Sequence, residues 1–232
     1  MPSGTSPFLI DTLLAGIQSS RRQPACVGID LTGSERRASG ICVLQDREAR
    51  LSLVRTDDEI LRSVDAAAIG LISVDSSLGL PAGRCCAEDT CACRQYGIMR
   101  ECERILRKRG IRVYPTLIRS MQNLTVRGIR LAGILREQGY EVIESYPGAT
   151  QDLLQIPRKK TDVARLRTGL AGTGIRISAG GGRVTHDELD ALTSALGGYF
   201  YLAGWYEAIG NAAEGCLILP DMKRVPQVQV NG

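Results

Sequence analysis

The sequence predicts an α/β fold, on three observations. Short apolar runs end on an acid three times: residues 25–29 lead into Asp30, residues 70–74 into Asp75 and residues 140–143 into Glu144. Two further strand-like runs, 40–45 and 49–55, are joined by a charged turn at Asp46 and Arg47. The segments between and after these runs space their apolar residues as helices do, and interleaved strands and helices mark the α/β class.

Residues 7–20 (PFLIDTLLAGIQSS) carry helical spacing and end in Ser-Ser-Arg-Arg, so residues 1–24 read as a leading helix and its exit. Residues 25–29 form a buried strand that delivers Asp30, ahead of Thr32-Gly33-Ser34; with 40–45 and 49–55 it makes a three-strand meander. Residues 57–68 alternate acidic and apolar positions at helical spacing, and 70–74 is the fourth strand. A loop follows at 79–93 with four cysteines, then a helix over 95–109 that stops at Gly110, then an irregular link over 111–119. Met121, Leu124, Leu131 and Leu135 fall on one side of a helix closing at Gly139, and 140–143 is the fifth strand.

The stretch 157–178 is basic and Gly-rich, with a short helix expected at 161–167 and a junction at Gly180-Gly181-Gly182. Thr185 with Glu188 three residues on fits a capping box, and Leu189, Leu192 and Leu196 give the helix it opens a buried stripe. Residues 216–219 are a last strand candidate. The expected layout is thus a leading segment 1–24, one domain over 25–220 with a Cys-rich insertion at 79–110, and a tail over 221–232. A chain of 232 residues suits one large domain better than two.

An apolar share of 44% and a charged share of 23% exclude disorder, collagen and coiled coil. No apolar run approaches the roughly 18 residues of a membrane-spanning helix, and the N-terminus lacks the pattern of a secretion signal, so a cytoplasmic protein without a membrane partner is expected. The net charge of +4 hides an asymmetry: residues 94–136 hold eleven Lys and Arg against two Glu. That stretch is either a cationic face for phosphates or a pair of solvated helices.

The acids carry the candidate chemistry. Asp30 and Asp75 end strands, Glu144 ends another, and Asp187 and Asp190, three apart, share a helix face distinct from the leucine stripe. Brought together, such carboxylates suit hard divalent cations, Mg2+ or Mn2+, and two cations roughly 3.5–4 Å apart can drive phosphodiester hydrolysis. Each acid has a plainer reading: Asp30 and Asp75 as turn formers, Glu144 as a solvent-facing strand end, Asp187 as an acid favoured by the helix dipole.

Cys85, Cys86, Cys91 and Cys93 lie within nine residues, with Cys102 beyond, and suggest a metal centre holding zinc or an iron–sulfur cluster, with disulfides or free thiols as the alternatives. The spacing matches no standard zinc or iron–sulfur motif. Cys26, Cys42 and Cys216 sit in apolar runs and read as core residues. Tyr199, Phe200, Tyr201, Trp205 and Tyr206 are half of the aromatics; core or homodimer contact is the first reading and base stacking the second. His186, the single histidine, stands beside Asp187 as a proton shuttle, a phosphate contact or a surface residue.

The stretches VGIDLTGSERRASGICVL, ISVDSSLGLP, RECERILRKRGI, VIESYPGATQDLL and THDELDALTSAL, in this order, closely resemble a family of uncharacterised proteins regarded as predicted nucleases with a ribonuclease-H-like fold. The resemblance spans roughly residues 25–220. More distantly, Asp30, Asp75 and the Asp187/Asp190 pair look like the metal-binding acids of RuvC-type resolvases, which carry Glu where Asp75 stands and have no counterpart of Glu144. The resemblance implies a mixed five-stranded sheet flanked by helices, two-metal hydrolysis and a nucleic-acid partner. Two rivals stand beside it: a non-catalytic nucleic-acid-binding metalloprotein built around the cysteine loop, and a phosphotransferase of the actin and sugar-kinase class, for which a second phosphate loop is missing.

Overall fold

The computed structural model describes residues 9–158, 162–180 and 183–226. Its centre is a mixed sheet of eight strands, β1 Ala25–Asp30, β2 Ser39–Gln45, β3 Glu48–Val54, β4 Leu71–Asp75, β5 Glu141–Ser145, β6 Arg176–Ala179, β7 Tyr206–Ile209 and β8 Leu217–Pro220, in the order β6-β3-β2-β1-β4-β5-β8-β7. The first three strands form the expected antiparallel meander, and β4, β5 and β8 run parallel to β1. The expectation of five strands is corrected to eight. β6 adds a four-residue edge beside β3, and β7 and β8 form an antiparallel pair at the other edge.

Helices cover both faces, as a sheet with parallel central strands requires. On one face lie α1 Leu9–Ser19, α6 Val163–Ala171 and α7 His186–Leu202, whose Leu13, Ile17, Leu166, Leu189, Leu192 and Leu196 share one core with Cys26, Cys42, Leu44 and Leu71. On the other lie α2 Asp57–Ala67 and α4 Gln122–Glu137, packing Ile60, Val64, Leu131 and Leu135 on Val27, Ile29, Ile41, Ile72 and Val74. β1 is buried along its whole length because both faces are covered. Strand alternation then assigns every β1 residue a side: Cys26, Gly28 and Asp30 face α7, and Ala25, Val27 and Ile29 face α2 and α4.

The long α7 starts where the capping box places it, with Thr185 and Glu188 satisfying each other's backbone amides. It lies directly against the sheet because two glycines allow it: a Cβ on Gly28 would fall 1.9 Å from the Ala191 carbonyl oxygen, and one on Gly40 would fall 2.0 Å from that of Asp187. Gly28→Ala is expected to push α7 off β1 and cost about 3 kcal/mol or more of stability, measured by urea denaturation.

The 95–109 helix is corrected to a short 3-10 turn, Ala92–Tyr96, and a separate helix α3, Glu101–Lys108. Gly97, at φ +87°, and the residues after it break the two. The aromatic run is likewise split: α7 ends at Leu202, Gly204 adopts φ +75°, and Tyr206 begins β7. Tyr199 and Phe200 are fully buried, Trp205 packs at Gly16, and the rings of Tyr201 and Tyr206 stand 4.7 Å apart. The 161–167 helix is found at Val163–Ala171; Thr161, Gly181, Gly182, the first two residues of the 7–20 helix and positions 227–232 of the tail lie outside the described residues. No helix among the described residues is long and apolar enough to cross a membrane.

Candidate functional site

Asp30 and Asp75 are the last residues of neighbouring parallel strands and stand directly opposite each other in the register. Parallel neighbours are about 4.8 Å apart, so the two carboxylates start side by side. Both belong to the α7 face, since Asp30 pairs with Gly40, against which α7 lies. Asp190, on that helix, is 3% exposed and Asp30 9%; Asp75 is half-buried. Three acids far apart in sequence are thus gathered at the carboxyl end of the central strands.

Asp190 and Asp75 line a cleft of about 650 Å3. Its floor includes Gln151 from α5, Pro147–Leu153, a helix that no sequence pattern predicted. Gln151 is 1% exposed and its amide nitrogen donates to Asp190 Oδ1 at 2.9 Å and to Thr193 Oγ1 at 3.3 Å, which fixes the orientation of that carboxylate. The walls carry Arg112, Tyr114, Tyr146 and Arg158. Tyr114 is 65% exposed, the Tyr146 hydroxyl donates to the Arg112 carbonyl at 2.6 Å, and the Arg158 guanidinium lies 6.0 Å from the Tyr146 ring centre. Burial raises the Tyr146 phenol pKa, against the opposing pull of Arg158.

Around the acids the hydroxyls of Ser73, Ser145, Thr150 and Ser194 are buried with no hydrogen-bond partner among the described residues. Ser145 is the register partner of Asp75, and Ser194 follows Asp190 by one helical turn. Asp187 is half-buried in the first turn of α7 and, like Asp30, is not part of the cleft lining. His186 is half-buried too, with Nδ1 lacking a partner among the described residues.

Glu144 does not join this group. The residue level with Asp75 is Ser145, so Glu144, level with Val74, points to the opposite face. There its carboxylate accepts from both terminal nitrogens of Arg100, one at 2.8 Å, and from the Leu78 amide at 2.8 Å. Arg100 is 2% exposed and also donates to Glu103 Oε1 and Thr116 Oγ1, each at 3.0 Å. Glu144 is therefore one half of a buried ion pair that ties the start of α3 to β5.

The basic stretch 94–136 does not form one cationic face. Arg100 and Arg127 are buried, Arg127 bonding Asp57 and the Thr32 carbonyl at 2.7 Å each, and Arg109 and Arg130 pair with Glu207 and Asp57. Arg94 pairs with Asp89, and Arg104, Arg107, Lys108, Arg112, Arg119 and Arg136 are the exposed remainder without an ion pair among the described residues.

Cys85, Cys86, Cys91 and Cys93 converge, with all four sulfurs within 4.8 Å of one another. They could hold a metal ion, and they are the one set of three or more Cys, His, Asp or Glu donors that close among the described residues. Cys102 is not a member: it is buried among Leu106, Ile111 and Leu217. Comparison with protein-family models, with curated proteins and with solved structures finds no match.

Proposed function

We propose that the protein is a metal-dependent nuclease of ribonuclease-H-like fold, hydrolysing nucleic-acid phosphodiester bonds with Asp30, Asp75 and Asp190 as ligands for Mg2+ or Mn2+ and Asp187 at the margin of the set. The observation that carries this reading is the side-by-side placement of Asp30 and Asp75 at the ends of parallel strands, facing the helix that bears Asp190. The order β3-β2-β1-β4-β5, a meander followed by two parallel strands, supports the ribonuclease-H-like assignment, with β6 and the β8–β7 pair as additions at the edges.

The donor chemistry suits the ion, although the three carboxylates do not close as tightly as the four cysteine sulfurs. Hard divalent cations prefer carboxylate oxygen, and clustered buried acids repel one another until a cation joins them. Mg2+ or Mn2+ held there supplies Lewis-acid activation of the scissile phosphate and of the attacking water. Gln151 holds Asp190 in a fixed rotamer toward the cleft. Arg112 offers its guanidinium to phosphate oxygens, Arg158 lines the same cleft paired with Asp152, and the exposed ring of Tyr114 offers a base a stacking surface. Exposed Arg104, Arg107 and Lys108 on α3 extend the positive potential along a backbone.

Labelled single-stranded, duplex and branched DNA and RNA, incubated with Mn2+ or with EDTA, test this reading. Cleavage of at least one substrate that EDTA abolishes is expected. Binding of the panel without any cleavage would overturn the nuclease reading in favour of a binding protein.

A further inference from the structure

We propose that Cys85, Cys86, Cys91 and Cys93 bind a single zinc ion in a closed tetrahedral site that fixes the 85–93 turn. Zinc–thiolate bonds of about 2.3 Å at tetrahedral angles put neighbouring sulfurs about 3.8 Å apart. The Cys85–Cys91 and Cys86–Cys93 sulfurs stand 3.7 and 3.8 Å apart, and every pair in the group is within 4.8 Å. Two sulfur pairs already match the edge of one tetrahedron, and the remaining pairs need only close from within 4.8 Å.

The same distances decide against the alternatives. An iron–sulfur cluster distributes its four thiolates over two or four iron atoms, which drives sulfurs on different irons well beyond the edge of a single tetrahedron. A pair of disulfides needs sulfurs about 2 Å apart two by two and gives no reason for both pairs to meet at one point. Four thiols brought together without an ion would lose charge stabilisation as thiolates and gain little as neutral groups, whereas a dication satisfies all four at once.

The surroundings suit a structural ion. Zinc sites with four protein ligands leave no position for substrate or water, unlike catalytic sites with three. The turn is anchored from inside by Arg84, 7% exposed, which donates to the carbonyls of Cys86 and Glu88 at 3.1 Å each and to that of Gly97 at 3.4 Å. Cys93 and Ala87 are also buried. Beyond Gly97 the chain reaches Arg100, so an ordered 85–93 turn sets the approach to the Arg100–Glu144 pair. The cysteines are separate from the acid cleft, and the assignment holds whether or not the protein cuts nucleic acid.

Elemental analysis of the untagged, full-length protein, purified without added metal, tests it. One zinc per chain is expected, with Cys91→Ser and Cys93→Ser losing it and Cys216→Ser retaining it. Replacement by Co2+ should give the intense visible bands of tetrahedral thiolate coordination, and chelation of the wild type should lower its thermal midpoint while far-UV circular dichroism shows the sheet intact. Iron with a broad visible absorption would overturn the assignment. So would a metal-free protein whose intact mass is lighter by the hydrogens of two disulfides, or one with zinc unchanged in both Cys91→Ser and Cys93→Ser. Because wild-type metal content is read first, a variant that fails to fold does not rescue the proposal.

Discussion

Asp190→Asn lowers metal-dependent cleavage at least about 100-fold, the loss that corresponds to a few kcal/mol of transition-state charge stabilisation. The substitution is nearly isosteric, and its amide oxygen still accepts the hydrogen bond that Gln151 gives Asp190. What it removes is a negative charge on a residue only 3% exposed at the floor of the cleft. Initial rates on the best substrate of the panel, with far-UV circular dichroism as the control for folding, measure the effect. Glu144→Gln behaves differently: it weakens the Arg100 pair on the other face of the sheet, so its damage falls on stability rather than on metal dependence. Cleavage lost more severely in Glu144→Gln than in Asp190→Asn would contradict this placement of the acids.

The second large effect is on stability. Arg100→Met costs about 3–5 kcal/mol, the range for breaking a buried ion pair from one side. Burial, the largest single influence, disfavours the charged guanidinium, but the charge and hydrogen bonds of Glu144, together with Cys102 and Glu103, outweigh it and move the pKa of Arg100 upward. Removing the cation leaves Glu144 and Glu103 buried without their partner, and it also strips a donor from the Thr116 hydroxyl and from the Glu214 carbonyl, the latter 3.3 Å from Arg100 Nη1. Urea denaturation measures the loss, and a thermal midpoint roughly 10 °C lower is expected for a chain of this size. The Arg100→Met, Glu144→Gln double variant should recover part of it, because one of the two stranded carboxylates is then neutral.

The centre of the fold was legible because burial on both faces leaves a plain mark. β1 and β4 appear as short, mainly apolar runs and β5 as Val142-Ile143 between two glutamates, and each ends at or next to an acid. The edges were not. β6 reads Arg-Ile-Ser-Ala with little burial, and β7 follows directly on an aromatic run whose helix is ended only by Gly204. α5 opens on Pro147, spans only seven residues and has too little apolar periodicity to be seen, which hid Gln151 along with it.

The candidate site was legible in part for a related reason. Asp30 and Asp75 each close their strand and are paired in register, but β5 ends one residue later than its acid, so Ser145 takes the level of Asp75 and Glu144 turns away. A shift of one residue exchanges the faces of a strand, and register is a property of the sheet rather than of the strand alone. Composition likewise revealed the cysteine centre but not its membership: Cys102 differs from the other four by lying on a helix inside an apolar cluster. Arg100 and Arg127 fall within the basic stretch yet are buried, since sequence does not tell a buried arginine from a solvated one.

Manganese binding tests the central claim without requiring that the substrate be known. Electron paramagnetic resonance of free Mn2+ would be followed during titration of the wild type and of Asp30→Asn, with both proteins confirmed as folded. Saturable binding in the wild type that is weakened at least about tenfold in the variant, equivalent to about 1.4 kcal/mol, is the predicted result. Equal binding in the two proteins, or none in the wild type, would contradict a metal site built on Asp30, Asp75 and Asp190.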